Sequence, residues 1–185
     1  MKGVVIYRSR YGATHQYARW IGNELNLPVF ETNEIDADKL NSYDFIIAGS
    51  SVYIGKILIK KWLKNNLEAI WHKKIFLFVV CGTPLNKKDK LDGYVSSSVP
   101  AEILNRVDVH FLPGKLIIKE LSVFDRLMIK TGAKLAEKKT GKKQSLTEYN
   151  EVKKENIAEL INAVKEFASV KYTPFQQVSK SQFHF

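Results

Sequence analysis

Five short apolar runs are spaced along the chain, and amphipathic or polar segments separate each run from the next. Most of the runs are rich in β-branched and aromatic residues and have no polar face, which is typical of buried strands. The predicted strands cover residues 3–7, 27–31, 43–49, 74–81 and 107–112. Pro28 favours an edge position for the second strand, and the third run is apolar enough for the centre of a parallel sheet.

Helical periodicity appears between and after these runs. Tyr17, Ile21 and Leu25 are four residues apart, which places them on one face of a helix over residues 15–25. The apolar spacing predicts further helices over 57–67, over 91–105 with a kink at Pro100, and over 156–167. Strand and helix therefore alternate about five times. This order predicts an α/β fold, a doubly wound five-stranded parallel sheet with helices on both faces.

The loop between the first strand and the first helix is rich in hydroxyl groups. Ser9 and Thr14 supply hydroxyl donors, Gly12 lets the backbone approach a ligand closely, and Arg10 adds positive charge. The N–H groups of a first helical turn have no partners within the helix, so the start of this helix can hold a phosphate. The alternative is that a hydroxyl group here only caps the helix.

Two more loops, residues 50–56 and 82–86, follow the third and fourth strands and are built from small and polar residues. The carboxyl ends of parallel strands meet at one edge of the sheet, where such folds bind ligands. Tyr53 is placed there to pack on a planar ligand. One loop for a phosphate and two for a flat heterocycle predict an FMN site. The predicted cofactor-binding residues are Ser9, Arg10, Tyr11, Gly12, Ala13, Thr14, Ser50, Ser51, Val52, Tyr53, Ile54, Gly55, Gly82, Thr83, Pro84 and Leu85.

Composition excludes several other classes of protein. The 185 residues are 45% hydrophobic, which is typical of a folded domain. Cys81 is the single cysteine and follows an apolar run, so we predict a buried thiol, no disulfide within the chain and no cysteine-rich metal site. The sequence shows neither a signal peptide before the first strand nor an apolar stretch of membrane-spanning length, so we expect a cytoplasmic protein.

The formal net charge of +10 lies in the later part of the chain, because residues 1–50 carry five Lys and Arg against six Asp and Glu. An insert of about 115–155 separates the fifth strand from the last helix. Its apolar residues recur at helical spacing. Residues 126–143 contain seven basic residues and a single acidic residue, Glu137. A basic amphipathic helix over 121–143 favours a peripheral contact with an anionic membrane surface. The alternatives are a helix packed on its own domain or on a second subunit. No nucleic-acid-binding motif is present.

These loops resemble those of the flavodoxin superfamily, whose phosphate loop is matched at Ser9, Gly12 and Thr14, with Tyr11 in place of a threonine. The chain is most similar to the flavodoxin-type menaquinone-dependent protoporphyrinogen oxidases. The similarity rests on four segments: Arg10 to Thr14, Tyr43-Asp44, Gly49-x-Ser51-x-x-x-Gly55, and Asp125-Arg126-Leu127-Met128-Ile129-Lys130. It covers roughly residues 1–168, which we take as one domain, and leaves residues 169–185 as a tail.

The resemblance implies an FMN enzyme that oxidises protoporphyrinogen IX and passes electrons to a quinone. The flavin then carries the chemistry, so no side chain is assigned as a catalytic acid or base, and no metal is expected. Two alternatives stay open. One is an electron carrier without an organic substrate, although such carriers are usually acidic. The other is a flavin-free module that binds a membrane or a partner.

Overall fold

A computed structural model of the chain describes residues 1–129, 131 and 147–170. Its centre is a sheet of five parallel strands in the order β2-β1-β3-β5-β6, which confirms the predicted fold class. The third predicted strand lies in the middle, and the second, which is shorter than predicted, lies at an edge. The strands of this sheet are β1 (Gly3–Arg8), β2 (Val29–Glu31), β3 (Phe45–Tyr53), β5 (Lys74–Cys81) and β6 (Val107–Pro113), with β4 (Lys56–Ile57) antiparallel to the end of β3.

Both faces of the sheet are buried because helices cover each of them. Successive side chains of each strand point to opposite sides and so contribute to both cores. On one face, Phe76, Phe78 and Val80 pack with residues of α1 (Ala13–Leu25) and α8 (Ala158–Val170). Alternate residues of the same strand, such as Leu77, pack against the helices of the other face. Those helices are α2 (Ala37–Leu40), α3 (Lys60–Asn65), α4 (Leu67–Ile70), α5 (Lys88–Ser96) and α6 (Ala101–Leu104).

Two predicted helices differ from the structure. The predicted helix over 57–67 is wrong at its start, because Ile57 belongs to β4 and pairs with Val52 of β3. The remainder is divided at Asn66 into α3 and α4. The predicted helix over 91–105 is likewise two helices, α5 and α6, and Pro100 stands at the start of the second, as expected for a residue without a backbone N–H.

The insert lies over the carboxyl edge of the sheet. Its strands β7 (Lys115–Leu116) and β8 (Tyr149–Asn150) pair with each other, and residues 123–129 form helix α7. The predicted insert helix is therefore present over 123–129, whereas Leu135 and the lysines from 130 to 143 lie outside the described residues. The last helix extends to Val170, and the remainder of the predicted tail also lies outside them. Among the helices described, none has the length and apolarity required to cross a bilayer.

Candidate functional site

A cleft of about 430 Å³ opens at the carboxyl edge of the parallel sheet, which is where this fold class binds its ligands. Its volume lies within the range of small-molecule and cofactor sites. One wall comes from the loops after β1, β3 and β5, and we call it the sheet wall. The opposite wall comes from residues 114–129 and Tyr149, and we call it the insert wall.

The β1–α1 loop has the geometry of an anion site. Gly12 precedes α1 and has a φ of 82°, a left-handed conformation that glycine adopts without a steric penalty. The Ser9 hydroxyl accepts a hydrogen bond from the Gly12 N–H at 3.1 Å, so its own proton is available to a ligand. The first N–H groups of α1 have no partners within the helix, and the helix dipole adds partial positive charge there.

Two buried hydroxyl groups in this cleft have no hydrogen-bond partner among the described residues. They are Oγ1 of Thr14, in the first turn of α1, and Oγ of Ser51, near the end of β3. A buried polar atom without a partner carries a free-energy cost of about 1–3 kcal/mol, so an unpaired group in a native protein requires an explanation. A bound ligand with polar atoms at both places provides one. The phosphate and the polar edge of FMN therefore fit the residues present.

Tyr149 connects the two walls at the floor of the cleft. Its hydroxyl lies so close to Gly82 that a Cβ at that position would overlap it. Any other residue at position 82 would therefore require the Tyr149 side chain to shift. Burial raises the pKa of Tyr149, so its hydroxyl is protonated at neutral pH and can donate a hydrogen bond.

The turn between β3 and β4 forms the rim of the sheet wall. Ile54 and Gly55 both have positive φ, 47° and 73°, in a turn that brings Tyr53 opposite Lys56. Glycine adopts this conformation readily, but a β-branched residue rarely does. Ile54 is nevertheless 63% exposed and lines the cleft. Backbone strain at an exposed apolar residue favours a role in ligand contact over a role in packing.

A buried carboxylate joins the two walls at the mouth of the cleft. Asp125 of α7 is only 4% exposed, and the guanidinium of Arg10 contacts its Oδ2 through Nε and Nη2, each at 2.9 Å. The Tyr11 hydroxyl donates to the same oxygen, and the Tyr53 hydroxyl donates to Oδ1 at 2.7 Å. Hydrogen bonds from Tyr11, Tyr53 and Arg10 lower the pKa of Asp125 to about 2, and the bond to Asp125 raises the pKa of Tyr53.

Most residues predicted for the cofactor site lie together in this cleft. The first two loops contribute most of them, and the third contributes one. Those that line the cleft are Ser9, Arg10, Tyr11, Ala13, Thr14, Ser51, Val52, Tyr53, Ile54 and Gly82.

The other predicted residues lie near the cleft without lining it. Gly12 and Gly55 shape their turns, and the buried Ser50 hydroxyl accepts a hydrogen bond from the N–H of Ile59 at 3.0 Å. Thr83, Pro84 and Leu85 do not line the cleft. The Thr83 hydroxyl is 2.9 Å from the Tyr94 hydroxyl of α5, and Leu85 is exposed. The 82–86 loop thus contributes to the cleft through Gly82 alone.

Sequence reasoning did not assign the insert wall to the site. Asp125, Met128 and Ile129 belong to a segment already singled out by resemblance, which was a usable signal. Tyr149 had no local signal, because the pairing of β8 with β7 brings it in from a distant part of the chain. The remaining lining residues that were not assigned are Val80, Cys81, Gly114, Lys115, Leu116 and Leu121.

Among the described residues, Cys81 and the histidines do not form a second reactive centre. Burial raises the pKa of the Cys81 thiol, so the nucleophilic thiolate is disfavoured, in agreement with the predicted buried thiol. His15 stacks on Tyr7, and His110 is buried with Nε2 3.3 Å from Asp108. Within the described part of the chain, no group of His, Cys, Asp and Glu is arranged to hold a metal ion.

Comparison with known proteins identifies the family to which the chain belongs. The family model for the flavodoxin domain matches residues 4–143. An uncharacterized protein of Methanocaldococcus jannaschii is 32% identical over 90 residues, which are 47% of this chain and 59% of that protein. Similar solved structures include a flavodoxin from the domain Archaea, at 22% identity and a TM-score of 0.39 over 75% of this chain and 98% of that one. A WrbA-like flavodoxin of Agrobacterium tumefaciens has 20% identity and a TM-score of 0.46 over 74% of this chain and 98% of its own.

The matched region contains the whole sheet wall and helix α7 of the insert wall. The structure adds the parallel sheet order, the left-handed glycine before α1 and the unpaired hydroxyls in the cleft. Together these observations favour a redox flavoprotein over a flavin-free binding module. The chain belongs to the flavodoxin family, and its cofactor is FMN.

Proposed function

We propose that the protein is an FMN-dependent oxidoreductase that oxidises protoporphyrinogen IX and passes the electrons to a quinone. One observation carries this proposal: Asp125, Met128 and Ile129, from the segment that resembles the protoporphyrinogen oxidases, line the FMN cleft. A carrier that only exchanges electrons with other proteins requires no substrate-facing wall. A helix placed against the cofactor cleft therefore supports an organic substrate.

The chain's own residues hold and enclose the reacting partners. Bound FMN supplies the redox chemistry, accepting electrons from an organic donor and passing them to an acceptor. Thr14 and Ser9 bind its phosphate, while Leu121, Met128 and Ile129 provide an apolar wall that excludes water. Each pair of electrons and protons removed from the porphyrinogen reduces one quinone to its quinol.

Positive charge near the cleft supports a substrate that carries carboxylates. Arg10 is already paired with Asp125, so we assign the attraction of the substrate to other cations. Lys115 lines the cleft and lies 2.8 Å from the exposed carboxylate of Glu120, a contact that a substrate carboxylate can replace. The Glu120 side chain is 45% exposed, and an ion pair with an exposed partner is weak, so replacing it costs little free energy.

The outer face of α7 supports contact with an anionic membrane surface, where a lipid-soluble quinone is found. Phe124 and Leu127 are 60% and 62% exposed, and seven basic residues occur in the sequence from 126 to 143. Apolar residues beside basic ones are the pattern of helices that lie in a membrane interface. Co-sedimentation with vesicles that contain anionic lipid tests this proposal. Binding should exceed that to zwitterionic vesicles and fall in a Phe124→Ser/Leu127→Ser variant; a face that instead joins two copies shows as a dimer in solution.

The substrate proposal is tested by turnover without oxygen. FMN-loaded protein receives protoporphyrinogen IX with a menaquinone analogue as the only oxidant, and porphyrin fluorescence is recorded. We expect porphyrin to appear faster than with free FMN, and only when the quinone is present. No rate above that of free FMN contradicts the proposed substrate. Electron exchange with a protein partner in the same preparation would then indicate the electron-carrier alternative.

A further inference from the structure

Side chains from three separate segments meet at the mouth of the cleft. Arg10 and Tyr11 come from the β1–α1 loop, Tyr53 from the end of β3, and Asp125 from α7. The guanidinium of Arg10 also lies 4.0 Å from the centre of the Tyr53 ring, within the range of a cation–π contact. We call these four residues the Asp125 cluster. It joins the loop that holds the FMN phosphate to the insert wall.

The outer face of α7 is exposed within the described part of the chain, so the position of this helix depends on contacts such as this cluster. Val123, Phe124 and Leu127 are exposed, whereas Asp125 and Leu121 are buried. Within residues 121–129, Asp125 and Leu121 are thus the two buried residues that attach the insert to the rest of the domain. A carboxylate with an arginine and two hydroxyl donors is held more strongly than a neutral group with the same contacts.

The Tyr11 hydroxyl binds the insert both as a hydrogen-bond donor and as an acceptor. It donates to the carboxylate of Asp125 and accepts from the N–H of Ser122 at 3.3 Å. The Ser122 hydroxyl in turn accepts from the N–H of Asp125 at 3.1 Å, at the start of α7. The loop next to the phosphate site is therefore bonded to both side chain and backbone of the insert.

We propose that Asp125 is a positioning residue that couples FMN binding at the β1–α1 loop to the placement of α7 over the cleft. Binding of the phosphate fixes the loop that carries Arg10 and Tyr11, and these residues then hold Asp125. Coupling between two sites is reciprocal, so fixing α7 must favour FMN binding by the same factor. The proposal depends on FMN as cofactor and is independent of the identity of the organic substrate.

Limited proteolysis of the full chain tests the coupling. Cleavage by trypsin after Arg126 requires this side chain to leave the carbonyl oxygens of Leu121 and Lys119, to which it donates hydrogen bonds, and mass spectrometry measures that cut with and without saturating FMN. We expect FMN to slow this cut by about fivefold or more in the wild-type protein. In Asp125→Asn, FMN should still bind, with affinity reduced by about the same factor, and its protective effect should disappear. Glu151→Gln, which removes an exposed carboxylate paired with Lys153, is the matched control and should behave as wild type.

Tyr11→Phe separates coupling from simple loss of folding, because it deletes one hydroxyl and leaves the carboxylate and Arg10 in place. It should reduce the protection by FMN, because it removes the bonds of the Tyr11 hydroxyl to Asp125 and to the N–H of Ser122. Unchanged protection in both single variants overturns the proposal, and tighter FMN binding in Asp125→Asn does so as well. Failure of porphyrinogen turnover with the protection intact overturns only the proposed substrate.

Discussion

The two walls of the FMN cleft are built by different forces. The sheet wall stands on buried strands, and its residues Val80 and Cys81 are continuous with the core beneath them. The insert wall includes the short helix α7, which has an exposed apolar face and is attached through the buried residues Asp125 and Leu121. Hydrophobic burial therefore fixes the position of the sheet wall, while polar contacts make a large contribution to the position of the insert wall. Substitutions behind the two walls should consequently have different effects.

The largest expected effect is on global stability and comes from the core behind the sheet wall. Phe78 is fully buried, and its ring packs tightly against Gly49. Phe78→Ala should lower the free energy of unfolding by about 3–5 kcal/mol, because it removes buried apolar surface and leaves a cavity. Urea denaturation measures this change. Phe124→Ala in α7 is the matched control and should change stability by no more than about 0.5 kcal/mol.

The next effect is on cofactor affinity at the sheet wall. Thr14→Val keeps the side-chain shape and removes the hydroxyl that has no partner within the described protein. A hydrogen bond to a charged group contributes about 1.5–3 kcal/mol, so FMN affinity should fall by roughly 10- to 150-fold. Fluorescence quenching gives the dissociation constants. Riboflavin, which lacks the phosphate, should bind both proteins equally, and an equal loss for both ligands would place the phosphate elsewhere.

Low pH should weaken the insert wall before it weakens the sheet wall. The pKa of Asp125 is lowered from 3.8 to about 2, so its charged form stabilises the folded protein above pH 3.8. This contribution is lost as the pH falls from there toward 2. The difference in unfolding free energy between wild type and Asp125→Asn should therefore be constant near neutrality and shrink across that window. A difference that does not depend on pH would show that the charge of Asp125 is unimportant.

The smallest effect concerns the strained rim of the sheet wall. Ile54→Asn should raise the free energy of unfolding by about 1 kcal/mol, because asparagine tolerates the left-handed conformation that isoleucine adopts there. It should also weaken FMN binding or turnover if the apolar side chain contacts a ligand. Ile54→Val keeps the β-branch and should leave the strain in place. Thermal unfolding of both variants, followed by FMN titration, separates strain from contact.

Most of the sheet wall could be predicted from sequence because its signals are local. An apolar run, a loop with Ser9, Gly12 and Thr14, and a helical repeat follow each other directly, and together they define a strand, an anion site and a helix. The order of five such units then places the other loops at the same edge of the sheet. The parallel sheet and its cleft follow from that order, and the structure has both.

The insert wall could not be predicted in this way because it depends on contacts between distant residues. Asp125 and Arg10 form an ion pair although more than a hundred residues separate them in the sequence. Tyr149 contacts Gly82 because β8 pairs with β7. The start of the helix predicted over 57–67 was wrong for a similar reason, since pairing with Val52 overrides the helical spacing of Ile57. A local pattern carries no information on such partners.

Hydrogen exchange with and without FMN tests most directly whether the two walls form one cofactor site. We expect one FMN bound per chain and slower exchange both in the β1–α1 loop, residues 9–14, and in the insert, residues 121–129. Slower exchange in both segments would show that the sheet wall and the insert wall enclose the same ligand. Protection limited to the β1–α1 loop, with exchange in 121–129 unchanged, would show that the insert wall is not part of the FMN site.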